Sequence, residues 1–261
     1  MLDEALARRA RELASGPRPL LIATDADGTL APIVPDPADA RVPDETLATL
    51  AQLTTHANVA VVTGRDLQTA RRLVPVSGVT FVASHGLEAS FESNLLPRIE
   101  LPTLGRQLDL LAAAVGDRFT GTGLHIERKS VSVAFHYRAD PGLLGPLREA
   151  LTEVPAGLRV QAGKMVLEAV PRGAGKDAAL AALVARFAPR SLLVLGDDLT
   201  DVSMFHAADR LRPTEANVLI AGVGGEAEAP DEIAALADVL LASPAEAGRF
   251  LADVESALER S

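Results

Sequence analysis

Residues 20–33 read LLIATDADGTLAPI, a short apolar run that leads directly into two aspartates and a glycine. An apolar run of this length, rich in Leu and Ile, predicts a strand buried on both faces, as in a parallel sheet. Ligands bind such sheets beyond the carboxyl ends of the strands, which is where Asp25 and Asp27 follow. The stretch therefore predicts an α/β fold and the edge of the sheet at which a functional site lies.

The same pattern recurs along the chain, with apolar runs separated by stretches of helical periodicity. We predict further strands at residues 58–63, 79–83, 191–195, 217–221 and 237–241. We predict helices that begin near Asp44, a candidate N-cap, that span residues 178–187 and 201–208, and that follow the Ser243-Pro244 start signal. Strands that alternate with helices indicate βαβ units and a Rossmann-like parallel sheet.

The middle of the chain departs from this pattern between residues 98 and 171. The predicted order is a helix at 104–115, strands at 124–128 and 131–137, a helix at 141–151, and strands at 158–161 and 164–169. The pair Ala162-Gly163 suits the turn of the last hairpin. This αββαββ block predicts an α+β domain, residues 98–171, inserted into a core that comprises residues 1–97 and 172–261.

Composition limits the class of protein. The chain has 261 residues with 35 acidic and 25 basic side chains, and no cysteine. The absence of cysteine excludes disulfides, thiolate nucleophiles and Cys-ligated metals. The net charge of −10 argues against nucleic-acid and anionic-membrane partners. No apolar segment has the length of a membrane span, and the first residues lack the apolar core of a secretory signal. We expect a soluble, cytoplasmic monomer.

Polar residues follow the first two predicted strands. Asp25 and Asp27 lie on the same side of an extended segment, and such a pair repels itself unless a proton or a hard cation such as Mg²⁺ lies between them. The alternative is a solvated aspartate-rich turn. Thr63, Gly64 and Arg65 follow the second strand, where a hydroxyl and an open glycine N–H ahead of a helix can bind an anion. Thr-Gly is also ordinary loop chemistry at a strand end.

A third polar cluster follows the strand at 191–195. Residues 196–201 read GDDLTD, which gives three carboxylates that are costly to bury without a cation. Asp201 alone could be an acidic first-turn residue of the next helix. Lysine occurs at three positions only, Lys129, Lys164 and Lys176. Lys176 begins the helix before this strand, from where its compact charge could reach the strand ends.

In order and spacing these four motifs resemble those of the haloacid dehalogenase (HAD) superfamily of phosphotransferases, over residues 18–97 and 172–256. The resemblance implies a HAD core, with Asp25 as nucleophile and Asp27 as general acid and base. It implies that phosphate is bound by Thr63, Gly64 and Lys176. It implies a Mg²⁺ cofactor whose ligands come from Asp25, Asp27, Asp197, Asp198 and Asp201. The spacing of Thr63 and Lys176 places the inserted domain at the second of the superfamily's two cap positions.

Within that superfamily the chain resembles the trehalose 6-phosphate phosphatase family over nearly its whole length. The matching segments include DADGTLAPI at 25–33, VVTGR at 61–65, SHGLE at 84–88, IERKSVSVAFHYR at 126–138, GKMVLEAVP at 163–171 and GDDLTDVSMF at 196–205. The resemblance implies a sugar phosphate as the partner. It implies substrate-binding residues on the core and on the cap, namely Arg65, His85, Gly86, Glu88, Glu127, Lys129, Lys164 and Glu168.

The chain departs from the family pattern at three positions. Val170 stands where the family usually has an arginine, Lys176 is followed by Asp177 rather than glycine, and Val202 replaces an acid. Glu127 and Lys129 could instead form an exposed charge pair. The same chemistry could act on a related sugar, polyol or pseudo-disaccharide phosphate, such as glucosylglycerol phosphate. The motifs are also compatible with a sugar phosphomutase and with a sugar-phosphate sensor that lacks turnover.

Overall fold

Two units make up the protein in the computed structural model, which describes residues 4–94, 96, 100–129, 131–163, 165–214, 216–224 and 230–260. One unit comprises residues 1–96 and 175–261, and the other comprises residues 97–174. The second unit is thus inserted into the first. The strands are β1 Leu20–Thr24, β2 Asn58–Val62, β3 Thr80–Ala83, β4 Glu88–Ala89, β5 His125–Arg128, β6 Val133–His136, β7 Leu158–Gly163, β8 Val166–Pro171, β9 Ser191–Gly196, β10 Asn217–Val223 and β11 Val239–Leu241.

Helices separate most of these strands. They are α1 Glu4–Ala14, α2 Asp44–His56, α3 Leu67–Leu73, α4 Leu101–Arg118, α5 Leu144–Ala150, α6 Lys176–Phe187, α7 Val202–Asp209, α8 Asp231–Leu236 and α9 Pro244–Glu259. Ser243 caps α9 by accepting a hydrogen bond from the Glu246 N–H, as its start signal predicted. The residue before α2 is Pro43, so Asp44 is the first helical residue and the predicted N-cap was wrong. None of the described helices has the length and apolarity to span a bilayer.

The larger unit contains a seven-stranded sheet in the order β11-β10-β9-β1-β2-β3-β4. All neighbours are parallel except β4, which pairs antiparallel with β3 at the edge. Because side chains alternate along a strand, β1 sends Leu20 and Ile22 into one apolar layer and Leu21 and Ala23 into the other. Helices α1, α2 and α9 cover the first layer, and α6 and α7 cover the second. The predicted α/β class is confirmed.

The inserted unit contains an antiparallel sheet in the order β5-β6-β8-β7. The helix predicted at 141–151 begins as a single 3₁₀ turn, Pro141–Leu143, before α5. The predicted hairpin turn was wrong by two residues, since β7 continues through Ala162 and Gly163 and β8 begins at Val166. Met165 has a φ of 60°, the left-handed conformation that a tight turn requires. The predicted α+β character of this segment is confirmed.

Candidate active site

The strand order places the predicted motifs next to one another. β1 lies between β2 and β9, and all three run parallel, so their carboxyl ends lie at the same edge. Asp25 follows β1, Thr63 follows β2 and Asp197 follows β9. The Asp25 N–H donates to the Leu195 carbonyl at 2.9 Å, which extends the β1–β9 pairing to the first aspartate. The three strand exits therefore form one site in the larger unit.

Lys176 links two of the predicted carboxylates. Its Nζ lies 2.9 Å from Asp25 Oδ1 and 2.7 Å from Asp201 Oδ1. All three residues are buried, with exposed fractions of 3% for Lys176, 5% for Asp25 and 0% for Asp201. Burial lowers the pKa of Lys176, but the negative charges of Asp201 and Asp25 outweigh it and raise that pKa above its usual value. Lys176 therefore stays charged within the carboxylate cluster.

Asp201 also organises the loop that precedes it. Its Oδ2 accepts hydrogen bonds from the N–H groups of Asp197 and Asp198, at 3.1 and 3.2 Å. Thr29 Oγ1 donates to Asp197 Oδ1 at 2.8 Å, which ties the loop after β1 to the loop after β9. Asp201 is the residue before α7, so it belongs to the site rather than to the first turn of that helix.

Three carboxylates fit a cation. Asp25, Asp197 and Asp201 each offer an oxygen, and these oxygens lie within 4.8 Å of one another. Burial raises the pKa of Asp25 from 3.8 to about 7, although Lys176 opposes this. Burial and the Asp201 charge raise the pKa of Asp197 to about 7. The cluster thus carries more negative charge than Lys176 balances, which is the environment that a hard divalent cation stabilises.

Asp198 and Asp27 were also predicted as metal ligands, and neither belongs to this group within the described residues. Asp198 Oδ1 accepts hydrogen bonds from Thr200, at 2.8 Å from its N and 2.6 Å from its Oγ1. Burial raises the pKa of Asp198, but Lys176 and the Thr200 hydrogen bonds outweigh it, so the net pKa lies below the usual value. Asp198 is therefore an ionised residue that holds its own loop.

Asp27 is bound by Arg65. Arg65 Nε donates to Asp27 Oδ2 at 2.7 Å and Nη2 donates to Oδ1 at 2.6 Å, a two-point ion pair. Arg65 Nη2 also donates to the Pro37 carbonyl at 2.8 Å. Arg65 was predicted to bind substrate, and in this structure it holds the carboxylate of Asp27.

Glycines allow the close approach of these loops. Gly28 has a φ of 82°, and a Cβ there would lie 2.0 Å from Asp197 Oδ2. A Cβ on Gly64 would lie 2.7 Å from His85 Nε2, so the imidazole of His85 lies against the Gly64 backbone. The Thr63 hydroxyl oxygen accepts a hydrogen bond from the Arg65 N–H at 3.2 Å, which leaves its O–H able to donate.

Residues 84–88, SHGLE, form a strained turn beside these glycines. Ser84, His85 and Gly86 have φ values of 51°, 54° and 93°, three consecutive left-handed conformations. Glu88 stabilises the turn, because its Oε2 accepts hydrogen bonds from Ser84 Oγ and from the Leu67 N–H. The His85 carbonyl accepts from the Gly175 N–H at 2.7 Å, directly before Lys176. The turn therefore fixes the start of α6.

In the inserted unit, one sheet face carries the predicted sugar-binding residues. Glu127 pairs with Ala134, Ala134 with Glu168, and Glu168 with Gln161, so these side chains lie in one row on one face. Glu168 accepts hydrogen bonds from Lys129 Nζ at 3.2 Å, Ser132 Oγ at 2.6 Å and Gln161 Nε2 at 3.3 Å. Lys164 lies outside the described residues.

Glu127 and Lys129 do not pair with each other. Glu127 Oε2 lies 2.9 Å from His136 Nε2, and Lys129 forms its ion pair with Glu168. Sequence reasoning missed Ser132 and Gln161 as partners of Glu168, although strand alternation puts both residues on its face. Val170 is buried and lies directly opposite Arg159 in the sheet. A guanidinium-bearing residue therefore stands beside the position at which the family pattern predicts one.

Comparisons with known proteins agree with these motifs. The trehalose-phosphatase family model matches residues 23–232. The chain is 33% identical over 195 residues to the trehalose-6-phosphate phosphatase of Escherichia coli (strain K12), a match that covers 72% of this chain and 73% of that protein. It is 34% identical over 214 residues to a Mycobacterium tuberculosis protein described as an uncharacterized glycosyl hydrolase, of which it spans only 16%.

A solved structure supports the same relationship. The Aspergillus fumigatus trehalose-6-phosphate phosphatase superposes with a TM-score of 0.73 at 28% identity, covering 98% of each chain. The resemblance seen in the sequence motifs is thereby confirmed. Since the family model spans most of the chain and the fold agrees with it, the chain belongs to the trehalose-phosphatase family.

Proposed function

We propose that this protein is a cytoplasmic, monomeric phosphatase that hydrolyses trehalose 6-phosphate to trehalose and inorganic phosphate. The observation that carries the proposal is the contact of the buried Lys176 Nζ with both Asp25 and Asp201, at 2.9 and 2.7 Å. A charged lysine among carboxylates at strand ends suits the binding of a phosphoryl group and the positioning of a nucleophile. Family membership supports the substrate, and the site supports the chemistry.

In the first step, an Asp25 carboxylate oxygen attacks phosphorus and the bond to the sugar oxygen breaks, which leaves an aspartyl phosphate. Asp25 Oδ1 is held by Lys176, so Oδ2 is the oxygen that can attack. In the second step, water attacks the aspartyl phosphate and releases phosphate. Two displacements replace one difficult hydrolysis. Lys176, the Thr63 hydroxyl and the Gly64 N–H would bind the phosphoryl oxygens.

Asp27 would protonate the leaving sugar oxygen and later accept a proton from water. Both of its carboxylate oxygens accept hydrogen bonds from Arg65 in this structure. Arg65 therefore fixes the orientation of Asp27, and each carboxylate oxygen keeps a second lone pair that can carry the transferred proton.

The carboxylate cluster fits Mg²⁺, which Asp25, Asp197 and Asp201 would hold. When bound, Mg²⁺ would reduce the repulsion between the anionic substrate and the nucleophile and neutralise charge on the phosphoryl oxygens. Asp198 would support this site through its hydrogen bonds to Thr200 and its negative charge rather than as a direct ligand.

The inserted unit would act as a cap that selects the sugar. Glu127, Lys129 and Glu168 share a polar sheet face, and carboxylates and amines suit sugar hydroxyls, which both donate and accept hydrogen bonds. His85, Gly86 and Glu88 would contribute from the core. Lys164 is assigned by sequence resemblance alone.

The test is phosphate release from a panel that contains trehalose 6-phosphate, glucosylglycerol phosphate, glucose 6-phosphate and an aryl phosphate. We expect the highest kcat/KM for trehalose 6-phosphate. Glu168→Gln should lower that value by roughly 10–150-fold and leave aryl phosphate hydrolysis within about twofold, because the aryl phosphate uses only the phosphate site. Glu149→Gln, an exposed glutamate on α5 in the same unit, is the matched control.

Three other outcomes would contradict the proposed substrate, the proposed reaction or the proposed role of Glu168. If another phosphate ester has a higher kcat/KM than trehalose 6-phosphate, the proposed leaving group is wrong, whereas the proposed phosphatase chemistry is retained. Transfer of phosphate between sugar positions without net release would favour a mutase. Equal losses on both substrates for Glu168→Gln would make that residue structural.

A further inference from the structure

A cavity of about 500 Å³ in the larger unit is lined by Arg65, the residue that binds Asp27. It is formed between residues 38–41 and helix α3, and none of the residues that line it belongs to the Asp25–Asp197–Asp201 group. Three of its lining side chains are arginines, Arg41, Arg65 and Arg72. We call this cavity the arginine pocket.

Two of the three arginines that line the arginine pocket have no ion-pair partner among the described residues. In the described part of the chain, neither Arg41 nor Arg72 has a carboxylate oxygen within 4.0 Å, whereas Arg65 is paired with Asp27. Asp66 interacts with Arg72 electrostatically, but its carboxylate accepts hydrogen bonds from the N–H and hydroxyl of Thr69. In a chain with ten more acidic than basic residues, two unpaired guanidinium groups beside a third that is paired with Asp27 favour an anionic ligand.

The guanidinium groups are held in place by neutral acceptors. Arg41 Nη1 donates to the carbonyls of Ala38 and Ala40, at 2.8 and 2.7 Å. Arg72 Nη2 donates to Thr69 Oγ1 at 3.2 Å. These bonds orient the side chains without neutralising them, and the other guanidinium N–H groups of both arginines have no acceptor among the described residues. Oriented guanidinium donors match the oxygens of oxyanions such as phosphate and carboxylate groups.

We propose that the arginine pocket binds a phosphate-class oxyanion, either inorganic phosphate or the phosphate group of a monoester, at a second site distinct from the catalytic one. The volume admits a monoester as well as the free ion. Arg65 belongs to both sites, since its Nε and Nη2 bind Asp27 and its Nη1 has no acceptor within the ranges that the structure describes.

Because the two sites share Arg65, binding at the arginine pocket should affect the catalytic site. This consequence rests on the proposed role of Asp27. An oxyanion at the arginine pocket would compete with Asp27 for the charge of one guanidinium and weaken the two-point ion pair. Occupation of the pocket would thereby loosen the group that orients the proton donor. Inorganic phosphate is a product of the proposed reaction, so the pocket gives the enzyme a means to respond to product or to another phosphorylated metabolite.

The test is isothermal titration calorimetry of the full chain with inorganic phosphate and, separately, with glucose 6-phosphate, both in EDTA. Without a cation the carboxylate cluster repels anions, so the arginine pocket is the expected site. Arg41→Ala and Arg72→Ala should each weaken binding by about ten- to a hundredfold. Arg71→Ala removes the same charge from the neighbouring position of α3, outside the pocket, and should change the affinity less than about twofold.

Each calorimetric result supports or refutes anion binding at the arginine pocket, and none depends on enzymatic turnover. Binding of phosphate alone identifies the free ion as ligand, and comparable or tighter binding of glucose 6-phosphate identifies a monoester. Equal affinities for wild type, Arg41→Ala and Arg72→Ala, or no binding of either probe to the folded wild type, would overturn the proposal. A chain that binds phosphate in this way but does not hydrolyse trehalose 6-phosphate would refute the proposed function and leave the arginine pocket intact.

Discussion

Substitution of Gly28 by alanine tests whether the loop after β1 positions the carboxylates that we propose to bind the metal. A Cβ at residue 28 would lie 2.0 Å from Asp197 Oδ2, and real Cβ contacts are essentially never shorter than 3.0 Å. If the backbone of residue 28 keeps its hydrogen bond to the Ala31 carbonyl, at 2.7 Å, the carboxylate of Asp197 has to move by about 1 Å. That movement also stretches the 2.8 Å hydrogen bond from Thr29.

A displacement of about 1 Å at a catalytic group lowers activity by roughly a hundredfold. Gly28→Ala should therefore reduce kcat/KM by about that factor and weaken Mg²⁺ activation. Its backbone cost, an alanine at a φ of 82°, is about 1 kcal/mol, or roughly 2–4 °C in Tm. Gly78→Ala is the matched control, since Gly78 has a φ of 89° and the three atoms nearest to its Cβ would all belong to Thr54, at 3.2–3.4 Å.

The assay is phosphate release across a Mg²⁺ titration, together with thermal unfolding of both variants. We expect similar losses of Tm, with the loss of activity confined to Gly28→Ala. If Gly28→Ala keeps kcat/KM within twofold of wild type, or if Gly78→Ala loses as much activity, the inferred coupling of this glycine to Asp197 is refuted.

Three further perturbations address the carboxylate cluster. Asp25→Asn should reduce phosphate release below about 1% without lowering Tm, because an amide cannot attack phosphorus. Lys176→Met should lower the free energy of unfolding in urea by about 3–5 kcal/mol, since it leaves Asp25 and Asp201 buried without their cation. Because the pKa values of Asp25 and Asp197 rise from 3.8 to about 7 on folding, the metal-free native state binds more protons than the unfolded state between these values. Its free energy of unfolding should fall as pH rises through this range, by up to about 1.4 kcal/mol per pH unit for each group, and saturating Mg²⁺ should abolish the fall.

For each of these three perturbations, a different result would contradict the reasoning. Substantial turnover by folded Asp25→Asn would exclude it as nucleophile. A Lys176→Met variant as stable as wild type would mean that the buried carboxyls are neutral without lysine. A metal-free stability that increases between pH 5 and pH 7 would contradict the raised pKa values.

Six of the seven strands of the larger sheet could be predicted from sequence because each is a short apolar run. The residues predicted at the strand exits meet because β1 lies beside both β2 and β9. That order does not follow from periodicity, and the motif resemblance implied a common site without giving the strand order. Edge strand β4 has only two residues, too few for an alternating pattern to reveal.

Side-chain partners were harder to predict than strands. The ion pair between Arg65 and Asp27 depends on two loops from different strands and on the rotamer of a long side chain. Glu88 lies in a motif attributed to sugar binding, yet its carboxylate stabilises the left-handed turn at residues 84–86. In the hairpin of β7 and β8, hydrophobic alternation fixed the faces of the strands but did not fix the turn between them.

The placement of β1 between β2 and β9 has a consequence for how the protein is made. β2 emerges from the ribosome soon after β1, but β9 follows only after the whole of residues 97–174. Until β9 is made, the edge of β1 that pairs with it stays open. Until residues 176 and 201 are made, Asp25 lacks its neighbours Lys176 and Asp201. Closing a loop of that length has a modest entropic cost, so the pairing of β1 with β9 has to wait mainly for β9 to be synthesised. A half-made chain therefore cannot form the contacts of Lys176 with Asp25 and Asp201, and the proposed site is completed only late in synthesis.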